Sequence, residues 1–414
     1  MALRGPVHTT GTAGGYDCGF HFFTGCAMII ETDPSEVILM KDKKQAKQVC
    51  AKKHASLGRV IRLICLHTVV TLLLVALLAF CGVVMVCNMI FNGPSTTARD
   101  VLTMSMLESS GMKWCPAVFI GEDTVAQIQQ NVSTKLPEEI STAANIVIQT
   151  DNALTDAEAE WAAYPDGIRI ERLRGESYTA HVMIVRDPSR VYLTTSNPTF
   201  SLGTESKRID EVIQREKAAA AINGGAFNDD GTGGDYVGRL PVGITVSRGE
   251  IVWDDDRYCD GFAGFNEDNA LVVATKIDAE QVEALNIRDG CCFGPVLIMN
   301  GLVNEEAYNA NSGYNPRTCI GQRADGAVIL LCIDGRQANS LGGTYADAID
   351  IMVEYGAVNA CNLDGGSSAV MYYRDMQGRY GEPGALQMIN NYSLLQEQAR
   401  EMPTFFMVAG MNEE

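Results

Sequence analysis

The sequence predicts an α+β or mixed α/β fold, with a mixed β-sheet core and flanking helices, preceded by one transmembrane helix. Two observations support this prediction. Strand-like and helix-like segments follow one another after about residue 165, a pattern typical of such domains. Before them lies a long stretch without charge, at 63–91. The chain has 414 residues, of which 46% are hydrophobic, so it is long enough to bury a large core.

The uncharged stretch predicts a membrane span. Residues 63–91 contain no Asp, Glu, Lys or Arg and include LLLVALLAF and CGVVMV. About 20 apolar residues suffice to cross a bilayer as a helix. The stretch has no polar face, which argues against a helix lying on the membrane surface. It also begins too far from Met1 for a simple cleaved signal peptide.

The charges around the span predict its orientation. Residues 1–62 carry nine Lys or Arg and five Asp or Glu, whereas the remainder carries 23 and 46. The positive-inside rule therefore predicts a cell-membrane protein with its N-terminus in the cytoplasm and its main domain extracytoplasmic. The acidic main domain repels nucleic-acid backbones, so nucleic acid is not expected as a partner.

Four segments follow from these patterns. They are a cytoplasmic tail (1–62), the transmembrane helix (63–91), a membrane-proximal helical linker region (92–164) and the main domain (165–411). In the linker region VAQIQQNV and DAEAEWAAY are helix-like.

Regular elements of the main domain can be predicted in chain order. IRIERL, AHVMIVR and RVYLTTS predict strands because β-branched residues alternate or cluster in them. RIDEVIQREKAAAA predicts a helix that leads into the strand AAIN, and GITVSRGEIVW predicts a hairpin turning at Arg248 and Gly249. AVILLCIDG predicts a short buried strand. TYADAIDIMVEYG predicts a helix that starts at a capping box of Thr344 and Asp347 and ends at Gly356, before the strand AVNACNLDGG.

Cysteine and histidine usage limits the chemistry. Seven of the 13 cysteines follow the span, and none forms a CxxC pair, so a zinc ribbon is not expected. Cys319, Cys332 and Cys361 lie in apolar runs, where buried free thiols are common. His181 is the single histidine after the span, which argues against a His-based triad or a histidine-rich metal site. We expect no cofactor; the acidic loop 229–235 (DDGTGGD) is a Ca²⁺ alternative, although it lacks the EF-hand pattern.

Four polar turns follow strand-like runs and carry the candidate site. Glycine lets a backbone approach a ligand closely, and successive peptide N–H groups can bind an anion. Arginine presents a planar fork to phosphate oxygens, and carboxylates serve as acids, bases or nucleophiles. The turns are Asn223-Gly224-Gly225-Ala226-Phe227, Asn315-Pro316-Arg317-Thr318, Asp334-Gly335-Arg336, and Asn362-Leu363-Asp364-Gly365-Gly366-Ser367-Ser368.

Together these turns resemble the phosphodiester glycosidase family. The order and spacing of NGGAF, CFGPVLIMNG, NPRTCIGQRADGAVILLCIDGRQ and SLGGTYADAIDIMVEYGAVNACNLDGGSSAVM are similar to that family, over about 220–411. Two positions depart from its pattern. Ser367 stands where the family has a third glycine, so Ser368 takes the place of its serine. Met402-Pro403, with Arg400 nearby, stands where the family has an Arg-Pro step.

The resemblance implies a hydrolase that cleaves a sugar C1–O–P linkage. Asp364 is then the nucleophile or cation-stabilising carboxylate, Asp334 the second carboxylate, and Arg317 the clamp on the phosphate. Arg336 would assist Arg317. Substrate binding is expected at the remaining turn residues: Asn223, Gly224, Gly225, Thr318, Gly365, Gly366 and Ser368. For Asp334, Arg336 and Asn223 a purely structural role in the turn is the alternative.

Three functions are compatible with these residues. The first is a membrane-anchored glycosidase acting on sugar-1-phosphodiesters of cell-surface polymers or exopolysaccharide. The second is a non-catalytic glycan- or phosphate-binding module. The third is a polymer-assembly transferase that uses the same site. The carboxylates beside Arg317 favour the first, because a module that only binds has little need for Asp364.

Overall fold

The computed structural model describes most of the chain with side chains, and the regular backbone segments of 20–61 together with 131–132. The residues described with side chains are 62–109, 111–130, 140–142, 146, 161–201, 205–228, 240–257, 260–391 and 398–411. They belong to two compact units, Met1–Met85 and Val86–Glu414.

The first unit contains a small antiparallel sheet and most of a long helix. The sheet consists of β1 (Phe20–Phe22), β2 (Met28–Glu31) and β3 (Val37–Met40). Helix α1 runs from Lys43 to Phe91. Its segment Arg62–Phe91 contains an 18-residue window with a mean hydropathy of 3.0 and, within the described chain, is the one helix long and apolar enough to cross a membrane. Its large apolar side chains are exposed within the described part of the structure.

The second unit begins with the end of α1 and three short helices. These are α2 (Thr96–Leu107), α3 (Cys115–Ile120) and α4 (Glu122–Val132). The Ser95 side chain caps α2 by accepting from the Ala98 N–H. The helix expected at 125–132 is confirmed as part of α4. Most of the helix expected at 156–164 lies outside the described residues.

In the part of the chain after α4 that the structure describes, nineteen strands and four α-helices follow. The helices are α5 (Ile209–Glu216), α6 (Ala279–Ala284), α7 (Glu305–Asn309) and α8 (Tyr345–Glu354). The strands are β4 (Ile168–Arg174), β5 (Thr179–Val185), β6 (Val191–Thr195), β7 (Lys207–Arg208), β8 (Ala220–Asn223), β9 (Thr245–Ser247), β10 (Glu250–Trp253), β11 (Phe262–Asn266), β12 (Leu271–Ala274), β13 (Ile287–Cys292), β14 (Val296–Met299), β15 (Leu302–Val303), β16 (Arg317–Arg323), β17 (Val328–Ile333), β18 (Ala357–Leu363), β19 (Met371–Arg374), β20 (Leu386–Met388), β21 (Glu401–Met402) and β22 (Thr404–Val408).

These strands form three main sheets. The largest has seven strands in the order β15-β14-β18-β16-β17-β5-β4. Two five-stranded sheets have the orders β10-β9-β13-β11-β12 and β20-β19-β8-β22-β6, and β21 pairs with β7. Every pairing between described strands is antiparallel, so the α+β alternative holds and the expected mixed sheet is wrong. Hairpins and return connections, rather than helical crossovers, join neighbouring strands.

The interior strand β17 has a different buried environment on each of its two faces. All six of its residues are buried. Val328, Leu330 and Cys332 face a core shared with the five-stranded sheets, whereas Ile329, Leu331 and Ile333 pack with α8 on the other face. A strand buried on both faces needs apolar residues at every position, which explains why VILLCI does not alternate.

The predictions that rest on local sequence signals are confirmed for one hairpin turn and for both ends of α8. β9 and β10 form the expected hairpin, and Arg248 and Gly249 have φ values of 56° and 79°. Thr344 and Asp347 form the predicted capping box of α8. Gly356, at φ 80°, follows the last helical turn.

Candidate active site

Two adjacent strands bring the predicted arginine and carboxylate to one end of the large sheet. β16 pairs with β18 so that Thr318 lies opposite Leu363. Arg317 is the first residue of β16 and Asp364 directly follows β18, so both lie at the same end of these two paired strands. Because the pairing is antiparallel, residues 47 positions apart in the sequence become neighbours in space.

A pocket of about 440 Å³ lies at this edge and contains both residues. Its wall includes three cationic and three carboxylate side chains, together with aromatic and glycine residues. The lining residues are Leu107, Glu108, Lys113, Ala226, Phe227, Asp260, Phe293, Gly294, Arg317, Tyr345, Asn362, Asp364, Gly365, Gly366, Ser367 and Arg400. Four residues of the sequence-predicted site are therefore in the wall: Arg317, Asp364, Gly365 and Gly366.

Arg317 is fixed by main-chain carbonyls. Its Nε donates to the Gly343 oxygen at 3.1 Å, and its Nη2 donates to the Ser312 and Gly313 oxygens at 2.7 and 3.2 Å. The guanidinium also stacks on the Tyr345 ring, 4.3 Å from its centroid. The two-nitrogen fork expected to hold phosphate is thus used mainly by the protein, and Nη1 is the nitrogen that can exchange partners.

Glu108, just past the end of α2, forms an ion pair with that nitrogen. Its carboxylate oxygens lie 3.2 and 3.0 Å from Arg317 Nη1. Burial raises the pKa of Glu108, although the Arg317 charge opposes the shift. Sequence reasoning missed this residue because it lies in the membrane-proximal region, more than 200 positions from Arg317.

Asn223 holds the turn that carries Asp364. Its Nδ2 donates to the Asp364 carbonyl at 2.6 Å, while its Oδ1 accepts from Thr318 Oγ1 at 2.8 Å and from the Val370 N–H at 3.1 Å. Asn223 and Thr318 are fully buried and do not line the pocket. They were expected to bind substrate, but their contacts assign them to positioning Asp364 instead.

Gly224 and Gly225 permit close backbone packing behind the pocket. A Cβ on Gly224 would lie 2.8 Å from the Thr404 carbonyl carbon, and one on Gly225 would lie 2.4 Å from the Cys292 oxygen. The Asp364 N–H donates to the Gly224 oxygen at 3.2 Å. These glycines are needed for the sheets to meet, and they do not line the pocket.

Arg336 lies behind the pocket wall and binds the same loop end as Arg317. Its Nη2 donates to the Glu108 carbonyl at 2.9 Å and to Asn315 Oδ1 at 3.3 Å. Gly366, at φ 59°, passes close by, and a Cβ there would lie 3.4 Å from Arg336 Nη2. The two predicted arginines therefore both contact Glu108, one through its carboxylate and the other through its carbonyl.

Asp334 is buried away from the pocket. Its carboxylate accepts from the Asn391 N–H at 2.9 Å and from Asn391 Nδ2 at 2.7 Å, and it lies 3.4 Å from His181 Nε2. Its carbonyl accepts from Ser340 Oγ at 2.7 Å. These contacts favour the structural alternative for Asp334, since a fully buried carboxylate outside the pocket cannot touch a substrate there.

The two departures from the family pattern meet at the pocket. Ser367, in place of the third glycine, accepts a hydrogen bond from Arg400 Nη1 at 3.2 Å. Arg400 also lies over the Phe227 ring, 4.8 Å from its centroid. Ser368, which was expected to bind substrate, is buried and lies outside the lining set, and its hydroxyl has no hydrogen-bond partner among the described residues. Ser367 is therefore the serine that faces the pocket.

Asp260 and Asn362 are two further lining residues that sequence reasoning did not select as site residues. Burial raises the pKa of Asp260, which lies next to Gly294. Asn362 donates to the Gly294 oxygen at 2.8 Å. Asn362 stands in the fourth predicted turn, so its position was available from the sequence. No motif marks Asp260, and the fold alone brings it here.

Potential metal ligands and thiols can be located in the described part of the chain. No group of three or more His, Cys, Asp or Glu that could hold a metal ion is found there. The Ca²⁺ alternative at 229–235 falls outside the described residues. Cys319, Cys332 and Cys361 are fully buried free thiols, as expected, and burial raises their pKa values.

Comparison with known proteins places this site in a family. The sequence profile of the phosphodiester glycosidases matches residues 216–409. Two curated relatives are each 26% identical. The SPbeta prophage-derived uncharacterized protein YomE of Bacillus subtilis matches over 193 residues, and the N-acetylglucosamine-1-phosphodiester alpha-N-acetylglucosaminidase of Mus musculus over 219 residues. These matches cover 44% and 48% of this chain but only 27% and 41% of the relatives.

Two solved structures match this chain at low similarity. The zebrafish N-acetylglucosamine-1-phosphodiester alpha-N-acetylglucosaminidase catalytic domain, auto-inhibited by its pro-peptide, is 18% identical with a TM-score of 0.48. The match covers 66% of this chain and 88% of the zebrafish chain. A hypothetical protein from Synechocystis is 15% identical with a TM-score of 0.40, and covers 58% and 61%.

The family profile contains Arg317, Asp364 and the turns around them, whereas Glu108 and Lys113 lie outside it. The resemblance expected from the four turns is confirmed. Residues 216–409 of this chain match the family model of the phosphodiester glycosidases.

Proposed function

We propose that this chain is an extracytoplasmic, membrane-anchored hydrolase that cleaves the C1–O bond of a sugar-1-phosphodiester in cell-surface or exopolysaccharide metabolism. One observation carries the proposal: Arg317 and Asp364 line one pocket in a domain of this family. Water would add to the sugar C1, and a phosphate monoester would leave.

The reaction needs stabilisation of a sugar cation and of a phosphate anion. An oxocarbenium-like sugar develops positive charge as the C1–O bond lengthens. Asp364 is the carboxylate proposed to stabilise it or to bond to C1, because its main chain is held on both sides, by Gly224 and Asn223. A carboxylate fixed before the reaction loses less freedom in the transition state.

The phosphate would bind at the cationic part of the pocket. Arg317 supplies Nη1, and Arg400, which donates to Ser367, supplies a second guanidinium in the pocket wall. The departing phosphate monoester is a stable anion, so protonating it matters less than in the cleavage of ordinary glycosides. Charge complementarity from the two arginines is then the larger contribution.

Glu108 would compete with the substrate for Arg317. A phosphate oxygen that approaches Nη1 meets a carboxylate now 3.0 Å from it. Nη1 carries two N–H groups, so repulsion between the two anions, and not a lack of donors, opposes their binding side by side. Substrate binding is therefore proposed to shift the Glu108 side chain away from Arg317.

Anchoring is proposed from the Arg62–Phe91 segment and its flanks. The segment is long and apolar enough to cross a bilayer, and six Lys or Arg precede it between 43 and 59. The positive-inside rule then assigns the unit that contains the pocket to the extracytoplasmic side.

The bond that breaks can be identified by isotope labelling. The full chain in detergent is given a nitrophenyl ester of a sugar 1-phosphate in ¹⁸O water, and the nitrophenyl phosphate product is analysed by mass spectrometry. Cleavage at C1–O leaves that phosphate unlabelled, whereas attack at phosphorus would label it and contradict the proposal. Adding a glycan acceptor tests transfer, because a transferase would form a new glycoside.

Variants connect the activity to the pocket. Asp364→Asn and Arg317→Lys should each lower kcat/KM by about a hundredfold or more. Glu283→Gln, an exposed change on α6, is the matched control and should retain activity. Thermal unfolding of each variant verifies that it is folded. Near-normal turnover in folded Asp364→Asn would overturn the assignment.

A further inference from the structure

The segment between the apolar helix and the pocket exposes a cluster of large apolar side chains. Met112, Trp114 and Val118 are 45, 66 and 69% exposed. Trp114 and Val118 are four residues apart at the start of α3, so they share one helix face. Such a concentration within seven residues is unusual on a surface that faces only water.

This surface adjoins the end of the apolar helix. Phe119 of α3 stacks on Phe91, the last residue of α1, with ring centroids 5.1 Å apart. Phe91 is buried by this contact. One turn earlier in the same compact unit, Val86 and Met89 are 53 and 62% exposed. Exposed apolar side chains are therefore present both near the end of the apolar helix and on α3, which the Phe91–Phe119 contact joins.

The composition of the surface fits the headgroup layer of a bilayer. Tryptophan is enriched at membrane–water interfaces, where the ring is shielded and the indole N–H remains hydrogen-bonded. Trp114 Nε1 already donates to the Gly111 oxygen at 3.2 Å, so the ring can enter an apolar layer without losing that bond. Lys113, between Met112 and Trp114, is exposed and can extend its stem along such a layer.

The same segment forms part of the pocket wall. Leu107, Glu108 and Lys113 line the pocket, and Lys113 directly precedes Trp114. The rim of the pocket therefore borders the exposed apolar surface.

We propose that Met112, Trp114 and Val118 insert into the lipid bilayer in which α1 is anchored, and that the substrate is a sugar 1-phosphodiester of a lipid alcohol in that bilayer. This second part rests on the proposed function. Water adds to C1, the C1–O bond breaks, and the lipid keeps the phosphate as a monoester. The sugar enters the pocket beside the rim while the lipid chain stays in the membrane.

Docking is tested without any activity measurement. The chain has three tryptophans, Trp114, Trp161 and Trp253, and none lies in the apolar helix. The full chain is reconstituted in vesicles of phosphatidylcholine brominated on its acyl chains, which quench tryptophans that reach the bilayer. We expect quenching that disappears in Trp114→Phe and persists in Trp161→Phe, since Trp161 is buried. Quenching that is absent, or equal in both variants, overturns docking.

A second variant separates insertion from loss of folding. Val118→Asp places a charge on the surface without touching the pocket lining. It should reduce quenching of Trp114 while leaving the thermal unfolding midpoint nearly unchanged. Undiminished quenching in Val118→Asp would contradict insertion of this face.

The substrate class is tested in the same vesicles. A sugar 1-phosphodiester of a long-chain alcohol is compared with its water-soluble methyl ester. Val118→Asp should slow hydrolysis of the lipid substrate by about tenfold and spare the soluble one, because only the former depends on confinement at the membrane. Equal effects on both substrates overturn the lipid assignment. Hydrolysis of neither by the unaltered chain overturns the proposed function, while the quenching result still decides docking.

Discussion

Glu108 and Arg317 form an ion pair inside the pocket, with Glu108 Oε2 3.0 Å from Arg317 Nη1. The arginine side chain is 2% exposed and its carboxylate partner 25% exposed. The pair joins the end of α2 to the first residue of β16. A segment outside the family domain thus completes the charge balance of the site.

Removing the Glu108 charge should weaken the fold and strengthen anion binding. Glu108→Gln leaves the buried Arg317 with a neutral partner, so the free energy of unfolding should fall by about 2 kcal/mol. The same change removes a negative charge beside the proposed phosphate site, so inorganic phosphate should bind about tenfold more tightly. Urea denaturation and titration calorimetry measure the two effects. Unchanged phosphate affinity, with Glu283→Gln as control, would contradict competition at Arg317.

Asn223 should act on catalysis through the position of Asp364. Asn223→Ala leaves the Asp364 carbonyl, Thr318 Oγ1 and the Val370 N–H without their present partner. The free energy of unfolding should fall by about 2–4 kcal/mol, and kcat should fall more than KM rises. Asn309→Ala, an exposed asparagine that donates to the Glu305 oxygen, is the matched control. A variant with normal kcat would show that this buried contact does not hold the carboxylate in place.

Gly366 should be intolerant of a side chain for two separable reasons. Its φ of 59° would strain any other residue. A Cβ at this position would lie 3.2 Å from the main-chain carbonyl oxygen of Glu108 and close to Arg336. Gly366→Ala should cost about 1–2 kcal/mol of stability and also lower activity. Gly249→Ala has a similar φ of 79° but open space around its Cβ. Gly249→Ala should lower the free energy of unfolding by a comparable amount and leave activity intact. Equal activities in the two variants would argue that a side chain at Gly366 does not crowd the site.

Buried thiols should make the protein labile in alkali. Burial raises the pKa of Cys319 to about 12, whereas an unfolded thiol titrates near about 8.5. The unfolded chain therefore loses its proton first. The stability contributed by the neutral thiol is complete below the unfolded pKa and is lost as pH rises towards about 12.

Cys319→Ala measures this loss directly. Between pH 9 and 11, the slope of unfolding free energy against pH should become less negative by about 1.4 kcal/mol per pH unit. Urea denaturation under reducing conditions provides the slope. Cys115→Ala is a partly exposed control. An unchanged slope in Cys319→Ala would mean that this thiol ionises in the folded protein.

Local sequence patterns were sufficient to predict several strands and helices and the residues of the site turns. The run VILLCI specified a strand buried on both faces, and Thr344 with Asp347 specified the start of α8, because these signals act between near neighbours. The four Gly-rich turns identified the family and supplied Arg317 and Asp364 for the pocket.

Which polar residues touch the pocket depends on how the elements pack in three dimensions. Asp334, Asn223 and Ser368 have the composition of site residues, yet burial against Asn391, Thr318 and the core removes them from it. Glu108 and Asp260 carry no motif and arrive because α2 and the turn before β11 pack at the same sheet edge. Contact across hundreds of residues depends on how the sheets and helices pack together, and no local pattern encodes that distance.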